Sequence, residues 1–277
     1  MLRALRGEDC RLTAIVSLAF GPRPESDDAR TGAAVEDLRR SLEALAGNEG
    51  PLLRAIRRPL TVESVGTHPL GNFVIASLAD GFGDHRAASC WLGRQLQARG
   101  DVLPATVQPV RRVVEPGGAE AATAPEMRLR FEGECLQAPA EAVEAIRDAR
   151  WALLAPGSLY RSVLSASAPP DVARALRRTR AHVVWIANLE LDVPETGAIS
   201  PLDHVHTLRR HGVRVDAVLH DPAASLQFDT DDLAYQSMLS IRRPICDPGD
   251  RAVHDPERLR AALRELIAPS ATSRSGA

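Results

Sequence analysis

The chain has 277 residues, a mass of 29.9 kDa and a formal net charge of −2. This near-neutral balance argues against nucleic acid or an anionic membrane surface as the partner, because both attract excess positive charge. The uncharged apolar runs are too short to cross a bilayer, and four scattered cysteines form neither a zinc-ribbon nor a disulfide pattern, so we expect a soluble, cytoplasmic protein.

All 34 basic residues are arginine, and lysine is absent from the sequence. This excludes a Walker-type phosphate lysine, a Schiff base and a lysine general base. A phosphate group bound by this chain must therefore contact backbone amides, hydroxyls, arginine or a metal ion.

The first hundred residues are predicted to contain mostly helices. Apolar residues recur at three- and four-residue steps between Val35 and Leu45, which is typical of an amphipathic helix. The predicted elements in chain order are the end of a helix at 1–6, a buried strand at 12–19, a loop at 21–32, and helices at 33–46, 72–80 and 87–99, the last ending at Gly100.

A small antiparallel excursion is predicted near 102–131. Short strands at 102–104 and 110–114 precede an Ala/Gly/Pro-rich loop at 115–127. The alternation of polar and apolar residues in Arg128-Leu-Arg-Phe131 favours a half-exposed strand that pairs with 110–114.

Helices and strands alternate regularly from residue 141 onward. The predicted order is helix 141–148, strand 151–155, helix 171–178, strand 182–187, helix 200–212, strand 213–219 and helix 255–267. This order predicts an α/β, Rossmann-like three-layer fold with a mainly parallel sheet, formed by one domain at 1–267 and followed by a flexible tail at 268–277. Ligands of such sheets bind at the carboxyl ends of the strands, which here are the loops 156–160, 188–200 and 220–222.

The stretch from Trp151 to Tyr160 is the strongest local signal in the chain. An apolar strand ends in Pro156-Gly157-Ser158, and an apolar segment follows directly. Helix starts present unpaired N–H groups to anions, Gly157 permits close backbone approach, and Ser158 offers a hydroxyl or an N-cap. The same pattern also fits an ordinary strand-to-helix turn.

Two other positions are candidates for ligand contacts. Gly71 allows a tight turn and Asn72 can cap the following helix or contact a ligand, although a plain helix start also explains them. Asn188 follows the strand 182–187, where its amide can donate to and accept from a base or sugar.

The region after Asn188 contains residue types that suit a metal. Asp192 and Glu195 could hold Mg²⁺, but paired acids in a loop are usually solvated. Ser200 and Asp203 form the pattern of a capping box. His204 and His206 are two residues apart on a helix and point away from each other, so we expect no metal site there.

Several segments occur in the order found in one known family. They resemble the YvcK-type gluconeogenesis factors, which are relatives of the CofD 2-phospho-L-lactate transferases. The segments are His68-Pro-Leu-Gly-Asn72, Asp101-Val-Leu-Pro-Ala-Thr106, Gln108-Pro-Val110, Ala155-Pro-Gly-Ser-Leu-Tyr160, Pro194-Glu-Thr-Gly197, Asp203-His-Val205 and His254-Asp-Pro-Glu-Arg-Leu259.

The resemblance implies a Rossmann-like fold with a phosphate-bearing ligand at the carboxyl ends of the strands. For the gluconeogenesis-factor branch it implies a regulatory protein that binds a UDP-sugar-like nucleotide-sugar and is linked to carbon metabolism, cell shape and cell-wall synthesis. The alternative is a CofD-like transferase of a phosphorus-containing group that uses Mg²⁺. The positions that match the family's binding residues are Gly71, Asn72, Gly157, Ser158, Asn188 and, as a lesser candidate, Asp203.

Two departures from the family favour the regulatory protein over the enzyme. The family begins with a strand and a glycine-rich phosphate loop, whereas this chain starts within the following helix, so either the given start is too late or the protein lacks that loop. Phe20 and Gly21 stand where relatives carry an acidic pair, and Asp27 and Asp28 are shifted from it. We therefore predict no catalytic or metal-binding residues, no certain cofactor, and Mg²⁺ only if the protein is an enzyme. The sequence also leaves open whether the protein forms a homodimer. A third functional hypothesis is a degenerate paralogue that binds no nucleotide and acts through protein contacts.

Overall fold

The structure, a computed structural model, describes residues 1–21, 34–63, 66–116, 127–190 and 200–267. The strands are β1 (Thr13–Val16), β2 (Ala19–Phe20), β3 (Pro59–Val62), β4 (Gly66–Pro69), β5 (Asp101–Pro104), β6 (Val110–Pro116), β7 (Met127–Glu132), β8 (Trp151–Leu154), β9 (His182–Ile186), β10 (Ala217–His220) and β11 (Leu239–Arg242). The helices are α1 (Leu2–Leu5), α2 (Glu36–Leu45), α3 (Pro51–Arg57), α4 (Leu70–Phe82), α5 (His85–Gln95), α6 (Ala140–Asp148), α7 (Ser165–Ser167), α8 (Pro170–Arg178), α9 (Pro201–Arg210), α10 (Thr230–Tyr235) and α11 (Pro256–Ile267), and a π-helical segment spans Leu159–Leu164.

The C-terminal half contains a four-stranded parallel sheet in the order β11-β10-β9-β8. Successive residues of β9 face opposite sides of this sheet, as the pleat requires. Val183 and Trp185 belong to one hydrophobic core, and Val184 and Ile186 belong to another. The sheet is therefore covered by apolar side chains on both faces, which confirms the predicted α/β fold with parallel strands.

Two smaller sheets lie in the N-terminal half. β1 pairs with β5 in parallel, and α2, α4 and α5 contribute to a third core beside this pair. β2, β6 and β7 form a mixed sheet in which Arg112 lies opposite Phe131 and Val114 opposite Leu129. The predicted antiparallel excursion is thereby confirmed.

Several predicted element boundaries are wrong. The single strand predicted at 12–19 is two short strands, β1 and β2, that belong to different sheets. Helix α5 ends at Gln95 rather than near Gly100, because Gln97 adopts a left-handed φ of 51° and the N–H of Ala98 donates to the carbonyl of Gly93 at 2.9 Å. This is the hydrogen bond of a Schellman cap, with glutamine at the position that glycine usually occupies. The strand predicted at 213–219 is limited to 217–220.

Several predictions concern segments outside the described residues. They are the loop with Asp27 and Asp28, most of the loop at 115–127, the acids Asp192 and Glu195 with the segment 194–197, and the tail 268–277. Within the described ranges, none of the helices has the length and apolar character needed to span a bilayer.

Candidate ligand site at the carboxyl ends of the strands

The turn after β8 and the end of β9 are joined by one side chain. The amide of Asn188 accepts a hydrogen bond from the N–H of Gly157 at 2.8 Å and donates one to the carbonyl of the same residue at 2.9 Å. The structure thus brings together Gly157 and Asn188, which the sequence placed separately at the carboxyl ends of two strands. In this conformation, however, the N–H of Gly157 and the amide of Asn188 bind each other, so they shape the turn rather than offer themselves to a ligand.

Ser158 is the N-cap of the π-helical segment that follows this turn. Its Oγ accepts a hydrogen bond from the N–H of Arg161 at 3.1 Å, as an N-cap does, and lies 3.3 Å from the Nε of the same residue. The hydroxyl of Ser158 thus lies next to a guanidinium group at the edge of the candidate site.

Two arginines that the sequence motifs did not single out lie at this edge. The Nη1 of Arg112, on β6, donates to the carbonyl of Arg161 at 3.3 Å. The signal that could have found them is the absence of lysine, which leaves arginine as the cationic side chain able to bind a phosphate. Arg161 follows the predicted phosphate turn by three residues.

Asp37, in the first turn of α2, lies in the field of both arginines. Burial raises the pKa of Asp37 above its ordinary value, and the positive charges of Arg40, Arg112 and Arg161 oppose this rise. Asp37 is therefore a negative charge that favours the positive charges of Arg112 and Arg161.

The second predicted pair, Gly71 and Asn72, lies within α4 rather than before it. Pro69 is the N-cap of α4, so the predictions of a tight turn at Gly71 and a helix cap at Asn72 are wrong. A Cβ atom at Gly71 would lie 2.9 Å from both Cβ and the carbonyl oxygen of Ile56, so glycine is needed for close packing of α4 on α3. Asn72 has no solvent exposure, and its Oδ1 accepts from the Nε of Arg39 at 2.8 Å.

Helix α2 contacts the second predicted segment through Arg39, whose Nε donates to Asn72. Ser158, in the first predicted segment, instead contacts Arg161. Binding of a ligand by Asn72 stays a prediction, and its burial favours a role in holding α4 to α2.

The predicted capping box at the start of α9 is confirmed. Ser200 Oγ accepts from the N–H of Asp203 at 3.2 Å, and the Asp203 carboxylate accepts from the N–H of Ser200 at 3.0 Å. The nearby histidines bond to their own helix, His204 to the carbonyl of Ser200 at 2.9 Å and His211 to that of Thr207 at 2.7 Å.

The acids that the sequence offered to Mg²⁺ lie outside the described residues, so the structure leaves that prediction untested. Phe20 and Gly21, at the end of β2, provide no carboxylate. Across the described ranges, no three side chains of the metal-binding types gather at one point. We therefore derive no step through a metal ion.

The loop after β10 is held in place by the buried carboxylate of Asp221. The carboxylate of Asp221 accepts hydrogen bonds from the N–H groups of Ala223 and Cys246, each at 2.7 Å, and from that of Ile245. Burial raises the pKa of Asp221, but these backbone hydrogen bonds outweigh it and hold the pKa below its ordinary value. Asp221 thus anchors the segment that leads to α11.

Comparison with known proteins decides the family. The family model described as 2-phospho-L-lactate transferase CofD matches residues 1–241. The chain belongs to this family. Among its relatives, a protein from Deinococcus radiodurans with the provisional name gluconeogenesis factor is 30% identical over 294 aligned positions, which cover 96% of this chain. A protein of the same name from Streptococcus pyogenes is 31% identical over 79% of this chain.

The chain spans 63% of the length of the Deinococcus protein and 73% of that of the Streptococcus protein. A crystal structure of a UPF0052 family member from Bacillus halodurans has the same fold, with a TM-score of 0.78, 23% identity and coverage of 95% of this chain and 94% of that one. This CofD-family chain thus shares its architecture with a protein of low sequence identity.

Proposed function

We propose that this CofD-family protein is a cytoplasmic regulatory protein that binds the phosphate groups of a nucleotide-sugar and links carbon metabolism to cell shape and cell-wall synthesis. The observation that carries the proposal is the turn at 156–158, held by Asn188 at the carboxyl ends of parallel strands and flanked by arginine side chains. Phosphate ligands of parallel sheets bind at this end. The provisional name shared by the relatives supports the link to gluconeogenic carbon.

Titration calorimetry of the whole chain with UDP-glucose tests this proposal. We expect saturable heat with the native protein and none with Gly157→Trp, because the large side chain fills the turn. Gly81→Trp is the matched control, since a Cβ atom at Gly81, near the end of α4, meets no atom within 4 Å. Absence of heat from the folded native protein, with both UDP-glucose and GTP, would contradict the proposal.

A second candidate is a CofD-like transfer of a phosphorus-containing group with Mg²⁺. The description of the matching family model favours it, whereas Phe20 and Gly21 at the end of β2 do not. Incubating the protein with Mg²⁺, a guanylated lactyl-phosphate donor and a deazaflavin alcohol distinguishes the two, because transfer of the lactyl-phosphate group to the hydroxyl releases GMP. Release of GMP above that of the Gly157→Trp variant would establish the transferase, and binding without turnover would support the regulatory protein.

A further inference from the structure

We propose a second ligand site, for a small hydroxylated compound that carries a phosphate group, in a cavity at the amino ends of β1 and β5. The cavity has a volume of about 320 Å³ and lies between the segment 5–12, which leads into β1, and the segment 99–101, which leads into β5. The first residues of these two parallel strands lie opposite each other, so both segments enter the sheet side by side. Gly157 and Asn188, which form the turn at the carboxyl ends, do not line this cavity.

The two walls of the cavity are held together by backbone contacts. The N–H of Asp101 donates to the carbonyl of Leu12 at 2.9 Å. Gly100 has a φ of +141°, and a Cβ atom there would lie 2.6 Å from the same carbonyl oxygen, so glycine is needed for this close approach. The second wall also contacts the end of α2, because the N–H of Arg99 donates to the carbonyl of Leu45 at 2.8 Å. The backbone therefore fixes the shape of the cavity.

Three arginine side chains line the cavity. The Nη1 of Arg6 donates to the carbonyl of Ala46 at 3.3 Å. Within the described part of the chain, the exposed side chains of Arg11 and Arg99 form no ion pair and no hydrogen bond. The planar guanidinium group matches the oxygens of a phosphate, so these two side chains are suited to bind one.

Two carboxylates also line the cavity, and they differ in their surroundings. Glu8 pairs with Arg264 of α11 at 2.8 Å and lies 3.8 Å from Arg260, so arginines outside the cavity balance its charge. Asp101 is exposed at the start of β5. Beside a phosphate bound by arginine, the Asp101 carboxylate can accept hydrogen bonds from hydroxyl groups of the same ligand. The donors and acceptors therefore suit a phosphate monoester with hydroxyl groups, such as a sugar phosphate.

The volume of the cavity limits the size of its ligand. Sites for small molecules usually span about 300–1,000 Å³, and this cavity lies at the lower end of that range. A sugar phosphate is of this size, whereas a nucleotide-sugar also carries a base, a second sugar and a second phosphate. The second site therefore goes beyond the proposed function, because its ligand differs from the one proposed for the carboxyl ends of the strands.

Titration of the full chain with glucose 6-phosphate, inorganic phosphate and glucose, at constant ionic strength, tests the site. Cys10 lines the cavity and is exposed, so the rate at which its thiol reacts with iodoacetamide, followed by mass spectrometry, reports binding at this place. We expect glucose 6-phosphate and inorganic phosphate to slow this reaction in a saturable way, and glucose to leave it unchanged. The reaction of Cys135, which does not line the cavity, should not respond and is the internal control.

Substitution of the two arginines without partners tests which side chains bind the phosphate. Arg11→Gln and Arg99→Gln should each raise the concentration of glucose 6-phosphate that half-protects Cys10 about tenfold, the loss expected for a hydrogen bond to a charged group. Arg3→Gln and Arg94→Gln are matched controls, since each removes a nearby exposed arginine that does not line the cavity, and both should change this concentration less than about twofold. Circular dichroism checks that each variant is folded.

Asp101→Ala tests the part of the site assigned to hydroxyl groups. It removes the carboxylate that would accept from the sugar but leaves the arginines in place. We expect the preference for glucose 6-phosphate over inorganic phosphate to fall, while inorganic phosphate still protects Cys10. An unchanged preference would mean that the cavity binds phosphate alone and that the assignment to a hydroxylated ligand is wrong.

The outcomes are separate from those of the proposed function. In the Gly157→Trp variant, glucose 6-phosphate should protect Cys10 as it does in the native chain. If neither phosphate compound protects Cys10 in the native chain, the second site is wrong, even if UDP-glucose binds at the carboxyl ends. Equal losses in the cavity variants and in both controls would also overturn it, because the effect would then be one of overall charge.

Discussion

Gly71 and Gly81 lie in the same helix, α4, but differ in what surrounds them. A Cβ atom at Gly71 would press against the backbone and side chain of Ile56 at 2.9 Å, whereas one at Gly81 meets no atom within 4 Å. We therefore expect Gly71→Ala to lower the free energy of unfolding by about 1–3 kcal/mol, as overpacking does. Urea denaturation of the native and variant chains measures this difference.

Gly81→Ala provides the control for the intrinsic effect of alanine in a helix. Alanine at an open helical position should raise the free energy of unfolding by up to about 1 kcal/mol. Opposite signs for the two substitutions would establish that the close approach of α4 to α3 requires Gly71. Equal stabilisation by both would show that α3 yields and that this glycine has no packing role.

At the scale of single residues, the sequence predicted hydrogen bonds between residues close in the chain but not those between residues far apart. The capping box is local, so Ser200 and Asp203 could be assigned from their spacing alone. Gly157 and Asn188 are 31 residues apart. Their two hydrogen bonds depend on how β8 and β9 pack, which the spacing of residues in the sequence does not give. Arg112 could not be placed beside Arg161 by any spacing rule, since 49 residues separate them.

At the scale of elements, Asn188 connects the turn after β8 to the end of β9. Its two hydrogen bonds fix both polar groups of the Gly157 peptide backbone, and alanine would remove both. We expect Asn188→Ala to lower the free energy of unfolding by about 1–3 kcal/mol and to weaken UDP-glucose binding, because the turn loses its defined shape. Denaturation and calorimetry on the same sample measure the two effects.

Asn188→Asp removes only the hydrogen bond that Asn188 donates and keeps the one that it accepts. The carboxylate still accepts from the N–H of Gly157 but cannot donate to its carbonyl, so the loss of stability should be comparable while the added negative charge weakens phosphate binding further. Unchanged stability in both variants would mean that the turn is held by other contacts. Normal stability with lost binding would instead assign Asn188 to direct contact with the ligand.

The elements that the sequence did not predict share a weak hydrophobic signal. β3 is largely exposed, and α3 has seven residues, too few to display a clear period, with Leu53 and Ile56 as its buried positions. Among the described strands β11 lies at the edge of its sheet beside β10, and it is half exposed. By contrast, β8 and β9 are continuous apolar runs and were predicted to within one residue of their ends, whereas the periodic helix α5 was predicted to exist but with its end four residues too far.

At the scale of the whole molecule, the two ends of the described chain pack together. Arg260, on α11, donates to the carbonyl of Ala4 at 2.9 Å, and Arg264 pairs with Glu8 at 2.8 Å. Asp221 holds the segment 245–246 that leads into α11, so its carboxylate also fixes how the chain ends meet. The alternation of strands and helices predicts the sheet. The packing of α11 against the N-terminal segment depends instead on contacts between residues far apart in sequence.

Asp37, which is partly buried, and Asp221, which is fully buried, have pKa values shifted in opposite directions and therefore affect folding in opposite ways. Burial raises the pKa of Asp37, so ionising it opposes folding as the pH rises past its ordinary value. The pKa of Asp221 is lowered by its three backbone hydrogen bonds despite burial, so its ionised form stabilises the fold. A chain lacking only the Asp221 carboxylate should therefore lose stability at neutral pH.

The pH dependence of stability in an Asp221→Asn variant tests whether the Asp221 carboxylate holds the segment that leads into α11. The ionised Asp221 carboxylate stabilises the native protein fully above the ordinary aspartate pKa of about 4. This stabilisation disappears as the pH falls through the lower pKa of the folded state. At pH 7 we expect the variant to be less stable by about 1–3 kcal/mol, and this difference should shrink towards pH 2. Asp9→Asn, at an exposed position before β1, should show neither effect. A deficit that stays constant from pH 7 to pH 2 would mean that the amide disrupts packing and that the charge of Asp221 does not hold the chain ends together.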